Sequence, residues 1–131
     1  MLGLNTKVIT QTREKEIQEL VKNDFVLCPD NVWAEVIKVQ YEGKRPIYRY
    51  TFGKYYLDCT KYKKIQLENR MCKIYLTTRL KILLHAITLD GPKLFTEAEY
   101  LGYRHSVNII IDHPQHVYYA NKILTSDATI C

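Results

Sequence analysis

Short β-branched and aromatic runs, each ended within a few residues by Gly, Pro, Asn or Asp, recur along almost the whole chain. That rhythm predicts an all-β domain and argues against a helical bundle. The clearest unit is Ile47-Tyr-Arg-Tyr-Thr51 and Tyr55-Tyr-Leu-Asp-Cys59 around Phe52-Gly53-Lys54, where glycine supplies the positive φ of a tight hairpin. Further strands are predicted at 24–28, 32–41, 63–67, 72–76, 80–89, 105–111 and 116–124, with Gly91-Pro92 as a break. One short helix is predicted over Arg13 to Val21, capped by Thr12 and ended by Asn23, because Ile17, Leu20 and Val21 share a helical face. With 131 residues, 47% of them apolar, the chain can bury a core as a single domain over 1–131.

Charge separates the chain into unequal parts. Residues 42–81 hold eleven basic and three acidic groups, whereas the flanking parts are slightly acidic. There Lys61, Lys63, Lys64, Arg70 and Lys73 alternate with Tyr62 and Tyr75, a mixture able to follow a phosphate backbone and stack bases. A solvated sheet face has the same composition, and no RNA-recognition, KH or helix-turn-helix pattern accompanies it. Four cysteines lie far apart, without zinc-finger or CxxC spacing, so reduced thiols and no metal or cofactor are expected. Asp112, His113 and His116 form a possible metal loop, but no fourth ligand accompanies them. His85 and His105 lie in apolar runs and are expected to be structural. No apolar run approaches a membrane span and no signal-peptide pattern opens the chain, so no membrane partner is expected.

Three blocks carry a resemblance. Leu2-Gly-Leu-Asn-Thr6-Lys-Val-Ile-Thr10 precedes Ile17-Gln-Glu-Leu-Val-Lys-Asn-Asp-Phe-Val-Leu27; Asp58-Cys-Thr60-Lys-Tyr-Lys63 follows the hairpin; His116-Val-Tyr-Tyr-Ala-Asn-Lys-Ile-Leu124 stands near the end. In this order they resemble the Hint superfamily of Hedgehog and intein autoprocessing domains, and most of all small inteins without a homing endonuclease. The resemblance implies a horseshoe of antiparallel strands whose two end segments, around 1–10 and 116–127, meet at the centre. The Ala-Asn-x-Ile-Leu-Thr ending is most similar to small phage inteins, which implies a viral source and a location in the host cytoplasm or the virion.

Read position by position, the resemblance predicts chemical silence. Met1 stands where the family's first cysteine starts an acyl shift, and a thioether has no proton to lose. Thr60 keeps its type, but Lys63 replaces the block's histidine and is expected to be a solvated cation, a buried hydrogen-bond donor being the alternative. Ser126 replaces the penultimate histidine. Asp127 replaces the asparagine that cyclises through its amide nitrogen, and its charge should keep it out of a buried site. Ala128 occupies the place of the downstream nucleophile, and Cys131 reads as a free terminal thiol. His116 matches the histidine that assists the last steps, and a structural role competes with a catalytic one.

Three functions remain open. The first is an inactive intein-like module acting as a structural or protein-binding subunit; eleven tyrosines favour it, with Tyr48, Tyr50, Tyr55 and Tyr56 as the expected docking patch. The second is a splicing element whose first cysteine was exchanged during cloning. The third is a nucleic-acid-binding protein using Lys61, Lys63, Lys64, Arg70 and Lys73. No active enzyme is the expectation.

Overall fold

The computed structural model describes residues 1–68, 70–79 and 83–129. Its strands are β1 (Leu2–Gly3), β2 (Lys7–Ile9), β3 (Glu14–Glu16), β4 (Phe25–Cys28), β5 (Val32–Phe52), β6 (Tyr55–Cys59), β7 (Lys64–Gln66), β8 (Met71–Lys73), β9 (His85–Thr88), β10 (Gly91–Ile111), β11 (Val117–Ala120) and β12 (Ile123–Ser126). All pair antiparallel, in the order β3-β2-β11-β12-β9-β10-β1-β6-β5-β4, with β7 joining β12 to β8. The frame is the pair β5 and β10, each 21 residues long and paired along almost their whole length. Four register shifts interrupt that ladder, between Phe95 and Glu97, Tyr100 and Gly102, Ser106 and Val107, and Ile110 and Ile111. Each such irregularity bends and twists a strand, so two long ribbons curve into a horseshoe. Among the described residues no helix is long and apolar enough to cross a membrane.

Burial follows the curvature. Ile47, Phe52, Leu57, Ile65, Tyr118 and Ile123 are fully enclosed, and every residue of β12 is buried. The predicted hairpin forms as β5 and β6, with Gly53 at φ 63°. β1 fits between β10 and β6 because Gly3 has no side chain; a Cβ there would lie 3.3 Å from the Cβ of Asp58.

Local readings differ from the structure at several elements. The helix over Arg13 to Val21 does not form: Glu14–Glu16 pairs with β2, and only Ile17–Glu19 makes a 3₁₀ turn. Pairing wins because Thr10 Oγ1 donates to Arg13 O at 2.5 Å, closing a turn, and Ile17 N–H donates to Thr6 O at 2.7 Å. Asn23 is left-handed as expected, at φ 81°. The strand over 72–76 ends at Lys73, where Ile74–Thr78 becomes 3₁₀; the Thr77 and Thr78 hydroxyls donate to the carbonyls of Ile74 and Tyr75. The strand over 116–124 is two strands, β11 and β12, joined by Asn121 and Lys122 at φ 48° and 66°. Two consecutive positive φ values make the primed hairpin turn that suits twisted strands. Finally, His105 is exposed, in register with Lys44 on β5, whereas His85 pairs with Glu68 at 3.1 Å. The strand predicted over 80–89 is seen at His85–Thr88; 80–82 and Cys131 lie outside the described residues.

Candidate functional site

The two end segments meet as expected. Val8 of β2 pairs with Ala120 of β11, and Asn121 bridges them, its Oδ1 accepting from Lys7 N–H at 2.7 Å while its own N–H donates to Lys7 O at 2.8 Å. The register Leu2 to Cys59 then sets Met1 beside Thr60. The Met1 amino group donates to Thr60 Oγ1 at 3.4 Å, and Thr60 N–H donates to Met1 O at 3.0 Å. Ser106 Oγ points at Met1 Sδ from 3.8 Å.

From the other side comes the end of β12. Asp127 N–H donates to His116 O at 2.7 Å and Ala128 N–H to Ile109 O at 2.8 Å, which fixes the segment against β10. The Asp127 carboxylate is 1% exposed. It accepts from Ile111 N–H at 3.0 Å and Thr129 N–H at 2.8 Å, and its Oδ2 lies 3.1 Å from His116 Nδ1. Backbone donors and an imidazole thus replace water around this carboxylate, which corrects the expectation that its charge excludes it. Lys63 is corrected as well. It is 6% exposed, and its Nζ donates to Ser126 O at 2.5 Å while lying 5.9 Å from the Tyr118 ring. A long donor is needed here because the carbonyl at the end of β12 is sealed under the loop after β6.

Met1, Thr60, Lys63, Asp127 and Ala128 therefore line one cavity of about 400 Å³. Ser126 and His116 stand behind it. Cys59, one residue from Thr60 and one of the cysteines expected to be reduced, is a free, buried thiol. Burial pushes it up to about 12 against the opposing pull of the N-terminal charge and Lys63, so it is a neutral packing group at pH 7. Among the described residues no group of three or more His, Cys, Asp or Glu side chains could hold a metal ion.

Two consequences concern stability. Among the described residues the enclosed Tyr118 hydroxyl has no hydrogen-bond partner, and burial raises its pKa. Tyr118→Phe is expected to leave stability unchanged or to raise it by about 1 kcal/mol, read from urea unfolding, since no bond is lost and a buried polar group is removed. His113 is 9% exposed and its Nδ1 accepts from Gln115 N–H at 3.1 Å. Burial first, and then the neighbouring His116, lower its pKa. The unfolded chain therefore takes up this proton at a higher pH than the folded one, and stability should fall as pH drops below about 6.5. Urea midpoints at neutral and mildly acidic pH should move apart, and His113→Gln should narrow that gap.

The tyrosine patch is only partly available. Tyr48 and Tyr50 share an inward face, their rings 6.1 Å apart, and Tyr50 is 2% exposed against Leu57, so it cannot dock a partner. Tyr55 is half-buried, with its hydroxyl on Asp90. Tyr56 is exposed, under the Arg49 guanidinium at 4.1 Å. Of the basic set, Lys61, Lys63, Lys64 and Lys73 gather on the cavity, and Arg70 does not line it.

Solved structures share this architecture. The crystal structure of the gp41-1 intein superposes with a TM-score of 0.85 at 26% identity, covering 96% of this chain and 97% of that one. The MchDnaB-1 intein (N145AA) superposes at TM-score 0.82, 18% identity and 98% and 100% coverage. A DnaB intein from Synechocystis sp. PCC 6803 gives 0.80 at 12% identity, covering 97% of each. No family model and no curated protein matches the chain. The chain thus has the Hint fold of small inteins that lack an endonuclease, all-β and built from antiparallel strands.

Proposed function

We propose that on this intein-like Hint fold the chain is a splicing-silent module that serves as a protein-binding subunit. The observation that carries the reading is the Asp127 carboxylate. It sits where the resemblance places the cyclising asparagine, yet it offers no nitrogen to attack its own carbonyl, and both its oxygens accept hydrogen bonds from backbone N–H groups. Met1 supports the same reading: its amino group is held on Thr60 Oγ1 and its thioether faces Ser106, and a thioether cannot accept an acyl group and later release it. Ser126 offers no imidazole, and Ala128 offers no nucleophile.

The test is to express the unmodified chain between two foreign soluble domains and to follow product masses over a day. An intact fusion is expected. Ligated flanks, or release of either flank, would overturn the reading in favour of a splicing element, a function the fold equally accommodates. Cysteine at the first codon of the native gene would favour that second reading too.

A further inference from the structure

Resting on that reading of a silent binding module, we infer that the cavity between the two chain ends is the docking groove, and that its occupant is an extended, carboxylate-rich segment of a partner protein. Charge complementarity carries the argument. Arg45 from β5, Lys61 and Lys64 from either side of Lys63, and Lys73 from β8 face one opening. Among the described residues the only carboxylate lining it is Asp127, which is already engaged by Ile111, Thr129 and His116. The cleft therefore presents an excess of positive charge that an acidic chain can neutralise.

The aromatic groups distinguish a peptide from a nucleic acid. Tyr62 is exposed, but the amino groups of Lys61 and Lys73 lie 5.2 and 5.5 Å from its ring centre, and Tyr75 meets it at 5.8 Å with the planes at 78°. Its π-surface thus holds cations in place, which suits pairing with carboxylates better than stacking of bases. A recess lined by Lys61, Tyr62, Tyr75 and Arg79 adjoins the groove, and the Arg79 guanidinium lies 5.3 Å from the Tyr75 ring. The basic strip therefore runs past the cavity mouth. Met1, Pro46 and Tyr48 add apolar surface to the same lining. An extended segment that alternates carboxylates with apolar side chains carries both chemistries that this mixed lining offers to bind.

The probe is a fluorescein-labelled octapeptide, Ser-Asp-Leu-Asp-Leu-Asp-Leu-Ser, read by fluorescence anisotropy against the full chain. Binding is expected, and the same peptide with lysine for aspartate should not bind. The double variant Lys61→Glu, Lys73→Glu should weaken binding about tenfold or more. Lys22→Glu, exposed and away from the cavity, is the charge control and should change it little. Circular dichroism checks that each variant folds. Three results would overturn the groove: no binding by a folded wild-type chain, equal weakening by the control, or displacement of the peptide by a short oligothymidylate that binds more tightly. The last would favour nucleic acid. An intact fusion in the splicing test together with an unbound peptide removes the groove alone, whereas flank release removes the silent module whatever the peptide does.

Discussion

Met1→Cys, in a chain carrying a foreign soluble domain upstream, is expected to release that domain only slowly and only when external thiol is added. Adding Lys63→His should then speed the release by about 10²- to 10⁴-fold, the usual contribution of a positioned general acid or base. The cysteine supplies the missing atom: its thiolate attacks the preceding carbonyl, the C–N bond breaks, and an external thiol carries off the resulting thioester. What remains unsupplied is a proton for the departing nitrogen. Thr60 Oγ1 lies 3.4 Å from the Met1 nitrogen and holds it in place, but a hydroxyl is a poor acid near pH 7. Lys63, which the resemblance puts at the histidine position, directs its Nζ to Ser126 O on the other side of the cavity. A histidine there titrates in the physiological range and restores the transfer. Release rates are read by gel densitometry in the presence of dithiothreitol. Rapid release in the single variant, or no acceleration in the double one, would show that the two substitutions are not what silences the first step.

Sequence reading recovered those parts of the molecule whose causes are local. The hairpin at 47–59 was legible because Gly53 demands a positive φ between two aromatic runs, and the meeting of the chain ends because blocks at both termini resemble one family. Gly43 and Pro46 hid the continuity of β5. The sequence reading has one strand over 32–41 and another from Ile47, yet in the structure both residues lie inside a single strand that pairs with β10 from Val36 to Phe52 across four register shifts. The Asn121-Lys122 turn was hidden for the opposite reason, since lysine does not advertise a positive φ. Burial was the least legible property. Composition predicts that Lys63 and Asp127 are solvated, but backbone groups from β10 and the end of β12 come to meet them, and those partners are far away in sequence. The basic groove has the same origin: Arg45, Lys61 and Lys73 belong to different elements, so a charge count over 42–81 finds the surplus but not its shape.

Lys63→Met is expected to destabilise the chain by about 1–3 kcal/mol, and Lys63→Ala by more, both measured as the change in unfolding free energy in urea. Methionine nearly keeps the length and apolar stem of lysine and removes its amino group, so its cost reads the polar contacts of Nζ, the bond to Ser126 O among them, apart from packing. Alanine adds the loss of packing around the stem, which is 6% exposed and close to the Tyr118 ring. The effect should be large because the bond is buried and joins segments 63 residues apart in sequence. β12 pairs with β7 at Thr125 and Ile65, and one residue later the segment leaves the sheet for the cavity. There Lys63 ties it to the loop that also holds Met1 through Thr60. Removing the donor leaves a buried carbonyl at the point where the two ends of the chain are joined. A loss below about 0.5 kcal/mol in the methionine variant would mean that the Ser126 carbonyl does not depend on Lys63, since removing a buried partner ordinarily costs more. A full-sized loss would also explain why the position that the resemblance assigns to a histidine holds a long, basic side chain, because its Nζ holds the Ser126 carbonyl beside the groove.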